Sequence, residues 1–163
     1  MAFPVGLPAW GLVHLAIGAV GTWLARRYAL HRQLIDQPGE RRSHRVATPR
    51  GGGIAIVASA VLALACLASI GVVPVQTAGL VAAGLLLVAG VGWIDDHRPL
   101  SPWSRLVVHA IAAMLVSIAL LANGHSPVFA MIGFATVMVL VNVWNFMDGI
   151  DGLAASQAVL VAA

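Results

Sequence analysis

The sequence has no lysine, one cysteine and few charged residues of any kind. Only 9% of its 163 residues are charged, whereas 60% are hydrophobic and the mean hydropathy is +0.94. Soluble domains carry about 25% charged residues, so the composition excludes that class and predicts a membrane protein. Cys66 has no second cysteine with which to form a disulfide within the chain.

Positive charge is also missing before the first apolar run. The leading segment MAFPVGLP has no basic side chain, and the first arginines, Arg26 and Arg27, follow the run. A secretory signal has the opposite order. We therefore expect the first run to remain as a membrane helix.

Five apolar runs approach the length of about 20 residues that crosses a hydrocarbon core of about 30 Å. They lie at roughly 8–25, 53–73, 75–94, 106–122 and 128–144, and a sixth begins at Leu153. These runs predict an all-α polytopic membrane protein with five transmembrane helices plus the start of a sixth. Residues 1–163 then form a single transmembrane domain.

The charges are confined to alternate loops. All nine arginines and all six acids lie in residues 26–50, in residues 95–105 or around Asp148, whereas the loops GVVPVQ and ANGHSP contain neither. Arginine-rich short loops stay in the cytoplasm. This pattern predicts a periplasmic N-terminus and places every candidate for chemistry on the cytoplasmic face.

Asp95 and Asp96 close the third run, where a carboxylate too deep in the bilayer is costly. Adjacent helical residues point about 100° apart, so the two are not expected to chelate one ion as a simple pair. One could bind a metal or a proton while the other orients it. Alternatively, the two acids have no catalytic role and only end the span at the membrane interface before Pro99.

Four polar residues recur at intervals of three near the end of the fifth run: Asn142, Asn145, Asp148 and Asp151. Glycines interrupt the later part, so we expect the asparagines to lie on the helix and the aspartates on a loop. Their hard oxygen ligands suit Mg²⁺. Alternatively, Asp151 caps the sixth helix and the asparagines bond neighbouring helices.

The first charged loop ends in Arg50, Gly51 and Gly52 just before the second run. Guanidinium groups and glycine amides at a helix start suit phosphate, although the missing lysine excludes a P-loop. Alternatively, this loop only anchors topology or contacts anionic lipid.

The histidines have no spacing that suits a transition metal. His31, His44 and His97 could touch phosphate on the cytoplasmic side. His14 and His109 lie within apolar runs, where histidines more often bond a neighbouring helix. Basic residues interleaved with aromatics are missing, which disfavours nucleic-acid binding.

Three segments, DQPGERRSHRVATPRGGGIAIV, GWIDDHRPLSPWSRL and NVWNFMDGIDGLAAS, occur in an order that resembles the polyprenyl-phosphate N-acetylhexosamine-1-phosphate transferases. The resemblance covers nearly everything from Asp36 to Ser156. It implies a bacterial inner-membrane enzyme that transfers sugar 1-phosphate from a UDP-N-acetylhexosamine to undecaprenyl phosphate and releases UMP. The motifs PRGGG and NFMDGIDG favour the O-antigen-initiating branch of the family, with GlcNAc or a deoxy relative as the sugar.

The resemblance also implies roles for individual residues. Asp95, Asp96 and Asp148 are the implied catalytic residues, Asn145 and Asp148 the implied ligands for Mg²⁺ or Mn²⁺, and the implied substrate contacts are His44, Arg50, Gly51, Gly52 and Asp151. Asn142 is more plausibly structural. Direct attack by the lipid phosphate and a covalent route through an aspartate both stay open.

The resemblance further implies about ten spans and later motifs that complete the site, so the chain corresponds to the N-terminal half and is expected to be inactive alone. Two non-catalytic alternatives are a truncated membrane subunit and an ion- or proton-coupled transporter. CDP-alcohol phosphotransferases and aspartate-rich prenyltransferases are disfavoured, because DGLAAS and DDHRP lack the further residues that those signatures need.

Overall fold

A computed structural model describes residues 6–37 and 47–147. The helices are α1 (Leu7–His31), α2 (Ile54–Ser69), α3 (Val75–His97), α4 (Pro102–Ala122) and α5 (Pro127–Met147). Two short strands, β1 (Ile35–Asp36) and β2 (Thr48–Pro49), pair antiparallel between α1 and α2. The predicted all-α polytopic membrane architecture is confirmed.

Four of these helices, α1, α3, α4 and α5, are long and apolar enough to cross a membrane. The second predicted span is shorter than expected, because α2 has 16 residues, or about 24 Å at 1.5 Å per residue. It ends where Gly71 adopts a φ of +72° and the amide of Val72 donates to the carbonyl of Leu67. This left-handed glycine is a common helix stop. The number of crossings and their orientation stay predictions.

The first helix is longer than its apolar run. The hydropathy falls at Arg26, but α1 continues to His31 and is followed by Gln33 with a φ of +58°. Arginine is a good helix former, so the backbone continues as a helix after its side chains leave the apolar range. The segment predicted to be a loop from Arg26 therefore begins with more than a turn of helix.

Small residues form the contacts between the helices. Each helix packs against its neighbours in sequence, and the buried apolar residues are almost all alanines. A Cβ added at Gly21 of α1 would lie 2.7 Å from the Cβ of Ala55 on α2. Without a hydrophobic driving force between helices in lipid, such close approach supplies the packing energy, while larger apolar residues such as Leu12 and Met131 face outward.

This packing brings Asp36, Arg50, Asp95, Asp96 and Arg105 together at one end of the described bundle. The ends of α1 and α3 meet there with the beginning of α4 and the segment before α2, as shown by side-chain contacts of Tyr28 with Trp93, Arg50 with Asp96, and Asp95 with Arg105. Trp144 near the end of α5 lines one pocket with Gly53, Asp95 and Arg105. We call this region the charged end.

Candidate active site

Asp95 lies in the last turn of α3 and fastens the turn between α3 and α4. Its Oδ1 accepts a hydrogen bond of 2.7 Å from the amide of Leu100, and its Oδ2 lies 3.2 Å from Nη1 of Arg105. A carboxylate is unfavourable at a helix C-terminus, so the arginine offsets that cost. These contacts stabilise the turn, while 27% of the Asp95 side chain stays exposed, and the catalytic role of Asp95 stays a prediction.

Asp96 faces a different partner. Its Oδ1 lies 3.9 Å from Nη1 of Arg50, and 30% of its side chain is exposed. The two adjacent aspartates therefore contact different arginines. Each carboxylate has a cation beside it at the boundary of the apolar spans.

Arg50 also pairs with Asp36, a residue that the sequence analysis did not single out. The Nε of Arg50 donates to Oδ1 of Asp36 at 3.1 Å, and Nη2 contacts the same oxygen. Strand β1 carries Asp36 and Arg50 directly follows β2, so the strand pairing brings them together. An acid and an arginine at the two ends of one loop are the only signal in the sequence. Arg50 is consequently held between two carboxylates, and its guanidinium is not an unpaired anion-binding group.

Gly51 and Gly52 connect this arginine to α2. Gly51 has a φ of +88°, a conformation that favours glycine. Within the described ranges, the amides of both glycines donate to no protein group. Amides left open before a helix suit an anion, so this geometry is compatible with the predicted phosphate contact.

An aromatic cluster joins α1 to α3 beside the aspartates. The ring centroids of Tyr28 and Trp93 are 5.2 Å apart in a stacked arrangement. The Nδ1 of His97 donates to the carbonyl of Trp93 at 2.8 Å, and its Nε2 accepts from the Tyr28 hydroxyl at 3.1 Å. Both ring nitrogens of His97 are thus engaged in protein contacts, which the sequence did not indicate.

Each of the two histidines inside the helices has one buried ring nitrogen without a hydrogen-bond partner among the described residues, Nε2 of His14 and Nδ1 of His109. Nδ1 of His14 and Oγ of Ser59 on α2 are hydrogen-bonded at 2.6 Å, as predicted for a histidine that bonds a neighbouring helix. His109 is only 5% exposed, and its Nδ1 has no hydrogen-bond partner among the described residues. For His109 no bond to a neighbouring helix is present among the described residues, so that part of the prediction stays untested.

A pocket of about 480 Å³ opens beneath the charged end, between α3, α4 and α5. Its polar lining residues are Asp95, Arg105 and His109, and its apolar walls come from α3 and α5, including Trp144. The polar wall is therefore adjacent to a surface that suits hydrocarbon. This combination matches an amphiphile with a charged head.

Several predicted site residues lie outside the described part of the chain: His44, Asp148, Asp151 and the side chain of Asn145. Asn142 is on α5, where its Nδ2 donates to the carbonyl of Met138 at 2.8 Å, as suits a structural role. No group of three metal-ligating acids, histidines or cysteines is present among residues 6–37 and 47–147. Asp95 and Asp96 have the hard oxygens that Mg²⁺ prefers, but with their arginine partners they do not form a complete cation site.

Comparisons with known proteins identify the family. The model for Glycosyl transferase family 4 matches residues 77–163, more than half of the chain. The chain is 30% identical to a probable undecaprenyl-phosphate N-acetylglucosaminyl 1-phosphate transferase of Bacillus subtilis, with 91% of this chain and 44% of the relative covered.

Two further relatives have related names. The chain is 32% identical to a decaprenyl-phosphate N-acetylglucosaminephosphotransferase of Mycobacterium leprae, over 97% of this chain and 43% of the relative. It is also 32% identical to an undecaprenyl-phosphate alpha-N-acetylglucosaminyl 1-phosphate transferase of Yersinia pestis, over 80% and 38%. The chain thus spans less than half the length of these relatives, and no solved structure matches it. The resemblance found in the sequence is confirmed, and the chain is a multi-pass membrane protein that belongs to glycosyl transferase family 4.

Proposed function

We propose that this chain forms part of an enzyme that transfers N-acetylhexosamine 1-phosphate from UDP-GlcNAc, or a deoxy relative, to undecaprenyl phosphate. The reaction releases UMP and leaves a lipid-linked diphosphate sugar, as the first membrane step of an O-antigen-type polysaccharide. The observation that carries the proposal is the charged end, where Asp95–Arg105 and Asp96–Arg50 lie above a pocket with apolar walls. One substrate has phosphates and a nucleotide, and the other a phosphate on a hydrocarbon.

The chemistry is a displacement at phosphorus. By the direct route, an oxygen of the lipid phosphate attacks the phosphorus attached to the sugar, the bond to the bridging oxygen breaks, and UMP leaves with that oxygen. The covalent route through an aspartate gives the same products in two displacements. Charge neutralisation and alignment provide most of the catalysis in phosphoryl transfer. In our proposal Arg50 and Arg105 neutralise the approaching phosphates, while Asp95 and Asp96 orient these arginines and the acceptor.

Asn145 and Asp148 are the proposed holders of a divalent cation, Mg²⁺ or Mn²⁺. When bound, the cation neutralises diphosphate charge and favours departure of UMP. His44, Gly51, Gly52 and Asp151 are the proposed contacts to the donor. The proposed location is the bacterial inner membrane, with the charged end in the cytoplasm.

The transporter alternative is not favoured. An ion path would place its acids near the middle of the bilayer and on broken helices. Asp95 and Asp96 instead lie in the last turn of a continuous α3. Their arginine partners are at the same end of the bundle.

The test is UMP release by the purified product of the complete reading frame, supplied with undecaprenyl phosphate and a panel of UDP-sugars. We expect release with UDP-GlcNAc or a deoxy relative, dependent on Mg²⁺ and on the lipid phosphate. Undecaprenol, which has no phosphate, serves as the matched negative acceptor. Absence of UMP with every sugar, in protein shown to be folded, would contradict the proposal.

A further inference from the structure

The pocket beneath the charged end contains a buried imidazole that nothing in the described structure satisfies. His109 is 5% exposed, and its Nδ1 has no partner among the described residues. A buried polar group without a hydrogen bond is costly, so such groups in native proteins are few and call for an explanation. His109 also lines the pocket together with Asp95 and Arg105, so a molecule bound there would lie against this residue.

Arg105 stands one helical turn from His109 and lines the same pocket. Residues four apart on a helix share a face, with a rise of about 6 Å between them. Nη1 of Arg105 contacts Asp95, and its other guanidinium N–H groups donate to no described residue. A guanidinium has five N–H donors, so Arg105 can hold Asp95 and still donate to a second anion.

The rest of the lining suits a hydrocarbon. Val88 and Val91 of α3 lie on one side of the pocket, and Leu140, Val141 and Trp144 of α5 on the other. The volume of about 480 Å³ is within the usual range of about 300–1,000 Å³ for small-molecule pockets. It suits a head group and the beginning of a lipid chain, with the remainder lying along the outer surface of the helices.

We infer that His109 is a binding residue for the acceptor lipid, donating a hydrogen bond to a phosphate monoester that Arg105 also holds, with the adjoining isoprene units against α3 and α5. This inference rests on the proposed function for the identity of the lipid. It adds a residue and a location to that function. Asp95, the one acid in the lining, remains neutralised by Arg105, so the pocket does not repel the phosphate as an unpaired carboxylate would.

The test is equilibrium binding of radiolabelled undecaprenyl phosphate to the full-length protein in detergent, without UDP-sugar or added divalent cation. Loss of one hydrogen bond predicts that His109→Leu weakens binding by about 2- to 10-fold. His109→Gln, which keeps a donor and an acceptor, should stay within about 2-fold of wild type. Undecaprenol should bind wild type and His109→Leu equally, because it has no phosphate.

A matched control is available in α1. His14→Leu removes the other intramembrane histidine, whose Nε2 is likewise buried without a partner among the described residues. His14 lines a separate pocket beside Ser59 that has no arginine, so this variant should leave lipid binding unchanged. Thermal unfolding of all variants in the same detergent identifies any that fail to fold. If His109→Leu fails to fold, lipid binding is instead compared between His109→Gln and His109→Ala.

The outcomes separate the two claims. Wild-type binding by folded His109→Leu, in protein that still releases UMP, overturns the inference and leaves the proposed function intact; a water molecule or a residue outside the described ranges then satisfies the ring. Competition by phosphatidic acid as strong as that by undecaprenyl phosphate overturns the assignment to a polyprenyl chain. If His109→Leu loses lipid binding and the wild-type protein releases no UMP, the lipid site is supported and the proposed function is contradicted.

Discussion

At the scale of single residues, the charged end depends on pairs that span different elements. Arg50 contacts Asp36 across the strand pair and Asp96 on α3, and Asp95 contacts both Arg105 and the amide of Leu100. Asp95, Asp96 and Arg50 could be chosen from the sequence, because acids at the end of an apolar run are conspicuous. Asp36 could not, since its importance depends on a tertiary contact between the two ends of a loop.

The Asp36–Arg50 pair predicts non-additive mutants. Each partner removed alone leaves the other charge without the contact that joins the two ends of the loop, so Asp36→Ala and Arg50→Ala should both slow UMP release. The double variant should be no slower than the worse single variant, with a coupling of roughly 1–2 kcal/mol, or about 5- to 30-fold in rate. Initial rates at saturating substrates measure this cycle. Strictly multiplicative effects would show that the pair does not act as a unit.

At the scale of elements, apolar runs predicted all five helices but not where each one ends. Hydropathy reports where side chains prefer lipid, whereas a helix continues as long as its backbone bonds do, and α1 therefore extends to His31. Gly71 ends α2 early through its backbone conformation. The strands β1 and β2 have two residues each, too few for an alternating pattern to be visible.

Close packing of α1 on α2 predicts a large difference between two glycines of one helix. A side chain at Gly21 would collide with Ala55, whereas the space around Gly11 is open. We expect Gly21→Leu to destabilise the protein by about 1–3 kcal/mol, the usual cost of overpacking, and Gly11→Leu to have little effect. Thermal unfolding in detergent provides the measurement. Equal midpoints for the two variants would argue against this helix contact.

At the scale of the whole molecule, the sequence predicts sidedness through its arginines, and the described structure brings Arg50 and Arg105 together with the acids at one end. Of the predicted site, Asp95, Asp96, Arg50, Gly51 and Gly52 lie in this region, while His109 emerged only from its burial and its unpartnered nitrogen. A sequence does not reveal which polar group lacks a partner. That information arises only when the helices are packed.

The predicted orientation can be tested with single cysteines in a Cys66→Ala background. His125→Cys, on the loop between α4 and α5, should react with a membrane-impermeant maleimide in intact spheroplasts. Arg98→Cys, at the charged end, should react only after lysis, because arginine-rich loops stay in the cytoplasm. Labelling with the reverse pattern would invert the proposed topology.

The central claim is that the charged end is the site of Mg²⁺-dependent sugar-phosphate transfer, and a comparison of three variants at positions 142, 145 and 148 tests it most directly. Asn145→Ala and Asp148→Ala remove proposed cation ligands, whereas Asn142→Ala removes an amide that bonds the backbone of its own helix. UMP release from UDP-GlcNAc and undecaprenyl phosphate, measured across a Mg²⁺ titration in the complete protein, should be abolished in the first two variants and near wild type in the third. Near-normal, Mg²⁺-dependent release by both Asn145→Ala and Asp148→Ala would contradict the account.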